Sequence, residues 1–405
     1  MSAANPAAAP RTTAVSQDRY RVGQLNLPGS QITSVPQGLK TDICIIPSTS
    51  VPSFGGYFTV DIREIGIIHD IKLQFNASAI TATGGTSNRY VPAIFWFTRI
   101  EIVQNSQVID TIFPVQQWIL SQLCNFDEDR LFLNQQMGLY SSATLRATKG
   151  AAAADYFAPL KTYFNQTNLP LLTSAHNIQL RIYMDSLANC YAGGGTVPVG
   201  SINFCNAIVS CTRLPSPVAN SMLNAMAVSP QSSIMHDCRY GTFTVASGVS
   251  STNIVLTPIV GPVSCLFFVV RTSGSTSGDN AFTYTAISNF ALLNSSSTNI
   301  VGGQAISSAL SLNVLAQFNC ASTYLAETNQ GSTNNGAHVY IWSFGTDLVD
   351  SLNSGRALGT YQFTGSEQAS ITFASTLGSA AQVDVFAMNQ AILTQSASSI
   401  LKSAM

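Results

Sequence analysis

Four histidines, His69, His176, His236 and His338, are the first residues to test for chemistry, because imidazole is the common general base and zinc ligand. They stand far apart in the chain. Zinc hydrolases hold two ligands one helical turn apart in HExxH, and zinc deaminases use a His-x-Glu pattern; neither occurs. All four histidines read as polar residues at strand ends, and His176 and His338 each open a strand-like run. The densest charge cluster is Asp127-Glu128-Asp129-Arg130. Clustered carboxylates can hold Ca²⁺, but a calcium loop spaces its ligands around a glycine, and that spacing is missing. The cluster reads as a solvated loop or an inter-subunit ion pair, with ion binding at Asp127 and Asp129 left open. Gly193-Gly194-Gly195 reads as a flexible loop tip, since GxxxxGK[ST], a GxGxxG turn and GxSxG are absent. Phe95-Trp96-Phe97 could stack nucleic-acid bases only with cations interleaved; only Arg89 and Arg99 lie near, so core packing is the reading. His338-Val-Tyr-Ile-Trp-Ser-Phe344 reads the same way. The 19 acidic residues are scattered. No catalytic, cofactor-binding or metal-binding residue is therefore assigned, no cofactor is expected, and the chain does not read as an enzyme.

Without a chemical constellation, the surface becomes informative. Charged residues make up 9% of the chain and hydrophobic ones 46%, against about 25% charged in ordinary soluble domains. Short neutral polar side chains fill the difference. Such a surface suits strands whose outer faces meet other protein, because neutral groups lose less on desolvation than charges do. The formal net charge is -1, so no bulk positive field exists to hold nucleic acid, and sequence-specific nucleic-acid binding is not expected. No apolar run reaches the roughly 20 residues of a membrane-spanning helix. Residues 1–21 lack the apolar core of a signal peptide, so secretion by that route is not expected. They are polar and mildly basic, with Arg11, Arg19 and Arg21 against Asp18, and read as an arm that orders only on assembly. None of the eight cysteines forms a CxxC pair; they read as reduced packing residues.

Strand patterns dominate the chain. Tyr57–Ile62, Asp70–Phe75, Ile178–Met184 and Gln382–Met388 alternate apolar and polar residues with period two, which marks strands with one buried face. Leu266-Phe267-Phe268-Val269-Val270 is apolar throughout and predicts a strand covered on both faces. Pro114–Asn125 predicts a helix, with Pro114 in its first turn and Val115, Trp118, Ile119 and Leu123 on one face. Gly303–Leu315 is a second helix candidate, and 136–170, 186–200 and 326–337 read as long loops. Pro-rich segments bracket 218–228 as a linker that holds at most one short helix. The two sides of it repeat a coarse pattern at an offset of about 190–200 residues: 71–75 with 266–270, 92–125 with 282–315, and 178–184 with 369–375. The expected fold class is all-β, two tandem eight-stranded antiparallel jelly rolls with a few short helices. The expected divisions are a 1–41 arm, a first jelly roll at 42–213, a linker at 214–236, a second jelly roll at 237–393 and a 394–405 tail.

At Phe97–Ile112 a strand turns at Asn105-Ser106, returns, and enters the helix that carries Trp118. Asn168-Leu-Pro-Leu-Leu172 precedes the strand at 176–184, and Gln382–Leu393 closes the series. This order resembles the double jelly-roll major capsid proteins of the tectivirus–adenovirus lineage and of large DNA viruses. The basic N-terminal segment and Gly-rich closing run of the large DNA viruses are missing, which points to a distant branch, such as a small bacteriophage or related icosahedral virus. The resemblance implies a subunit that forms pseudo-hexameric homotrimers and tiles an icosahedral virion shell after assembly in a host cell. Its implied partners are other trimers and minor capsid and vertex (penton) proteins, with an internal lipid membrane as an open option. The alternative is a secreted or phage-fibre carbohydrate-binding or adhesin β protein, which shares the low charge and Ser/Thr/Asn richness. An enzyme on a β scaffold is the third reading and needs a site assembled from distant residues.

Overall fold

The computed structural model describes residues 26–27, 30–31 and 40–404, apart from 64, 125–126, 141–142, 167–175, 272–277, 282–283, 295, 297–298, 302–303, 307–338, 345–351 and 353–358. The arm residues Arg11, Asp18, Arg19 and Arg21, His338, and the loop expected at 326–337 lie outside the described residues.

Eight strands build the first half: β1 (Lys40–Pro47), β2 (Tyr57–Ile62), β3 (Ile67–Ala77), β4 (Phe97–Gln104), β5 (Gln107–Ile112), β6 (Ala154–Leu160), β7 (Ile178–Met184) and β8 (Ile202–Arg213). They form two four-stranded sheets, ordered β6-β3-β8-β1 and β2-β7-β4-β5. The second half contains β9 (Gln231–Val245), β10 (Ser251–Val255), β11 (Val260–Arg271), β12 (Ile287–Leu293), β13 (Asn299–Val301), β14 (Tyr340–Ser343), β15 (Gln368–Phe373) and β16 (Ala381–Gln395). Its sheets run β14-β11-β16-β9 and β10-β15-β12-β13. Each second-half sheet repeats a first-half sheet with every strand moved on by eight, and every pairing is antiparallel. Extra strands at Tyr361–Thr364 and β17 (Ile400–Ala404) extend the second-half sheet through β11 and β16.

Period-two residues supply the cores. Phe58, Val60 and Ile62 of β2, Leu180 and Ile182 of β7, and Ile71, Leu73 and Phe75 of β3 are buried in one cluster. Trp96 sits at its centre, with ring centroids 4.8 Å from Tyr156, 5.1 Å from Tyr90 and 5.5 Å from Phe75. Its indole N–H donates to the Val91 carbonyl at 2.7 Å. The β4–β5 hairpin turns at Asn105 and Ser106, both at positive φ (49° and 65°), as a two-residue type I′ turn requires.

Helix α1 (Pro114–Leu123) starts where expected, and the Phe113 N–H is accepted by the Gln116 side chain at 3.2 Å. The structure corrects several other expectations. The presumed loop at 136–170 holds the end of α2 (Asp127–Met137), α3 (Ala143–Gly150), the whole of β6 and α4 (Tyr163–Gln166). Strand β6 escaped notice because Pro159 breaks its pattern; β6 is a sheet edge, where a missing N–H is tolerated. The loop at 186–200 contains short strands at Tyr191–Ala192 and Thr196–Val199. Residues 304–306 of the second helix candidate are a strand, and its residues 303 and 307–315 are outside the described residues. The linker region carries the single helix allowed for it, α5 (Ser216–Val228), while β9 begins at Gln231, earlier than the expected 237. The expected tail holds the end of β16 and all of β17, joined by a turn in which Ser396 Oγ accepts the Ser399 N–H at 3.1 Å.

Truncation of the central indole, Trp96→Ala, is expected to lower stability by about 3–5 kcal/mol, the usual cost of a large core cavity; chemical denaturation of the two proteins measures it.

Candidate functional site

The strand β11 decides how the halves meet. Leu266, Phe268 and Val270 point into the second-half core. Cys265, Phe267 and Val269 belong to the cluster that also contains the first-half core. All are buried. Strand β16 divides likewise: Val383, Val385 and Ala387 face one cluster, Phe386 and Met388 the other. The central strands β11 and β16 are therefore dry on both faces over these stretches, and the first half covers their outer side. Residues around α1 do the covering. Phe113 stacks near Tyr240 and Phe386 at centroid distances of 5.0 and 6.2 Å, and Trp118 lies 6.0 Å from Tyr284. The Gln116 amide approaches Met388 Sδ at 3.7 Å.

Polar groups fasten this seam. Asp279 accepts from Arg146 at 2.7 and 3.1 Å and from Arg89 at 2.7 Å. Burial pushes the Asp279 carboxyl up, but the two guanidinium groups reverse this and hold it below the usual carboxylate range. Arg146 is 1% exposed, a charge that stays buried only when paired. Lys402 of β17 bonds Asp237 at 2.6 Å and the Ile109 carbonyl at 2.9 Å. Asp110 is pushed up to about 7, by burial first and by the Asp237 carboxylate second, against the pull of Lys402. His176 meets the Ser396 carbonyl at 3.0 Å, and the Asn105 amide donates to the Ser398 carbonyl at 3.2 Å. None of these seam residues was singled out for this role from sequence. The partners stand too far apart in the chain to leave a local spacing.

Among the described residues the matching face of the first half is open. The outer surface of β6-β3-β8-β1 presents Ile43 (67% exposed) and Ile45 (63% exposed) on β1. Half-buried Ile208 and Phe157 lie across the same face. Between them runs a ladder of neutral amides on one carboxylate: Asn76 and Gln74 donate to Asp155 at 2.6 and 3.2 Å, and Asn203 donates to Asn76 at 2.7 Å. A face of aliphatic side chains and amides stays soluble alone and desolvates at low cost.

No family model matches the chain, and no curated protein matches its sequence. Among solved structures, a chain of the PBCV-1 virus capsid is similar at TM-score 0.64 and 16% identity, over 91% of this chain and 98% of that one. The Faustovirus major capsid protein is similar at TM-score 0.62 and 8% identity, over 89% and 90%. A chain in the structure of the Sputnik virophage is similar at TM-score 0.60 and 12% identity, over 90% and 88%. This chain has the double jelly-roll fold. At such identities the likeness is one of fold.

The first jelly roll contains most of the residues considered for chemistry. Phe95, Trp96 and Phe97 are buried core, with no face free for a base. His69 Nε2 lies 2.7 Å from Thr212 Oγ1, its pKa lowered by burial with Asp70 opposing. In the second jelly roll His236 is buried and pushed down to about 4 by desolvation. Gly193–Gly195 form a loop tip where the Tyr191 hydroxyl donates to the Gly194 carbonyl. Asp127–Arg130 open helix α2 and are not a loop. Among the described residues no group of three or more His, Cys, Asp or Glu side chains could hold a metal ion, and no helix is long and apolar enough to cross a membrane.

The Asp110 carboxyl ionises near pH 4 in the unfolded chain and near 7 in the folded one. The folded state therefore holds the extra proton between these values, and this group's contribution to stability falls as pH rises from about 4 to about 7. Asp110→Asn removes that loss. Its melting temperature relative to wild type is expected to climb across this window; a difference independent of pH excludes the linkage.

Proposed function

We propose that the chain is the major capsid protein of an icosahedral virus, a subunit that works by assembly and not by covalent chemistry. The observation that supports this reading most is the pair of equivalent sheets. Within one chain, the outer side of the central strands β11 and β16 is covered by the first jelly roll. The equivalent face of β6-β3-β8-β1, with Ile43 and Ile45, has no cover from its own chain among the described residues. The second jelly roll of a neighbouring copy covers it in this reading. Such a contact is head-to-tail, joining unlike surfaces, and it closes into a ring when its rotation divides a full turn. Three chains of two jelly rolls give a ring of six, the pseudo-hexameric homotrimer. The similar solved structures, a virus capsid chain and a major capsid protein, point the same way.

Trimers then tile a shell through contacts that are individually modest and collectively strong. Vertex and minor capsid proteins, and the surface of an internal lipid layer, are the further partners of this reading. The virion is its location.

Light scattering coupled to size exclusion tests it. Wild type is expected as three chains of 43.0 kDa, or as far larger particles. The variant Ile43→Lys with Ile45→Lys alters only exposed side chains, so it should keep the fold and elute as a single chain. A wild-type protein that is a stable monomer at every concentration overturns the proposal.

A further inference from the structure

We propose that Cys44 and Cys211 form a reversible dithiol–disulfide site, oxidised by small-molecule disulfides of the glutathione class, that fastens the edge strand β1 to β8. The two Sγ atoms lie 3.6 Å apart. Both residues are free cysteines. They sit on the inner side of the sheet at its edge, diagonally across the strand pair: Cys44 is opposite Val209, and Cys211 is opposite Asp42. A disulfide needs its sulfurs at about 2.05 Å. Strand β1 pairs on one side only, with β8, so it is the member of the pair free to shift and close that gap.

The two sulfurs have different roles. Cys44 is half-buried and Cys211 is buried, so a small disulfide reaches Cys44 first. Arg213 donates from Nη2 to Cys44 Sγ at 3.3 Å, and its Nε donates to Asp42 at 2.9 Å. The Asp42 contact fixes a cation beside the sulfur where thiolate charge gathers and departs. Burial, followed by the neighbouring Cys44, pushes the Cys211 thiol up to about 12, which keeps it out of the first step; its place 3.6 Å from Cys44 Sγ makes it the group that can take the second. In the first step the Cys44 thiolate attacks one sulfur of the small disulfide RSSR, forming Cys44–S–S–R and releasing RS⁻. In the second, the Cys211 sulfur attacks Cys44 Sγ and expels the other RS⁻. Two protein thiols and one RSSR become one protein disulfide and two RSH. The protein loses two electrons, and its two protons end on the released thiols. Excess RSH drives the reverse.

The site touches function through its position. Strand β1 carries Ile43 and Ile45 on its other side and follows directly from the N-terminal arm. A closed disulfide would hold both in place as the surroundings change from reducing to oxidising. The dithiol is intrinsic to one chain and stands whether or not that chain assembles.

The test uses the full chain in buffers of varied oxidised and reduced glutathione, followed by thiol blocking, non-reducing digestion and mass spectrometry. The expected result is a cross-linked peptide pair joining Cys44 to Cys211, with two thiols lost, a mass lower by about 2 Da, and complete reversal by excess reduced glutathione. Cys211→Ser should stop at a stable glutathione adduct on Cys44, and Cys44→Ser should take up no adduct at Cys211. Three wild-type outcomes overturn the proposal: no change at either cysteine, a lasting adduct on Cys44 without the cross-link, or a cross-link through other cysteines.

Discussion

From Pro262 to Arg271 strand β11 has no wet face, and the architecture follows from that constraint. A run such as Leu266–Val270 is stable only when two bodies of protein cover it, one on each side. Its even-numbered residues complete the second core and its odd-numbered residues join the first. The jelly rolls are consequently fused through a common apolar cluster and are not independent bodies on a linker. Helix α5 joins them in sequence, while β11, β16 and the side chains around α1 join them in space.

A dry seam restricts which polar groups can lie in it. Unpaired buried charge is costly, so the ionic groups at the seam are paired or driven toward neutrality. Asp279 is held by two arginines of the first jelly roll, and Asp237 by Lys402. Asp110 takes the other route, with a carboxyl that keeps its proton to about pH 7. Within the second jelly roll the buried Arg271–Asp384 pair follows the same rule, with the Tyr240 hydroxyl donating to Asp384 at 2.9 Å. The low charge content of the chain belongs to this account. The open face of the first jelly roll carries amides on a single carboxylate, and amides desolvate at less cost than charges.

The period-two strands β2, β3 and β7 were legible because each has one wet and one buried face, and alternation is the direct imprint of that geometry; β16 alternates in sequence but is buried on both faces, its Asp384 paired with Arg271. The uniform run in β11 was legible for the opposite reason. The internal repeat was legible through equivalent strands: 71–75 lies in β3 and 266–270 in β11, eight strands on. Elements that break local rules were hidden. Pro159 disguised edge strand β6, and the serines at 396, 398 and 399 disguised the turn into β17. The seam's polar pairs left no trace in sequence, because Arg89 and Arg146 meet Asp279 only after two jelly rolls have folded. The Cys44–Cys211 contact was invisible for the same reason, as it depends on the register of two strands far apart in the chain.

One face has no cover among the described residues. Among the described residues the second jelly roll has its central strands β11 and β16 covered on their outer side, and the first leaves the equivalent side open, with Ile43 and Ile45 exposed. Hydroxyl-radical footprinting of the dissociated chain and of its assembled form compares the two faces directly. Assembly by internal equivalence predicts that Ile43, Ile45 and Phe157 are labelled in the dissociated chain and protected in the assembly, while Phe267 and Phe386 are protected in both. Equal labelling of Ile43, Ile45 and Phe157 in both states would contradict it.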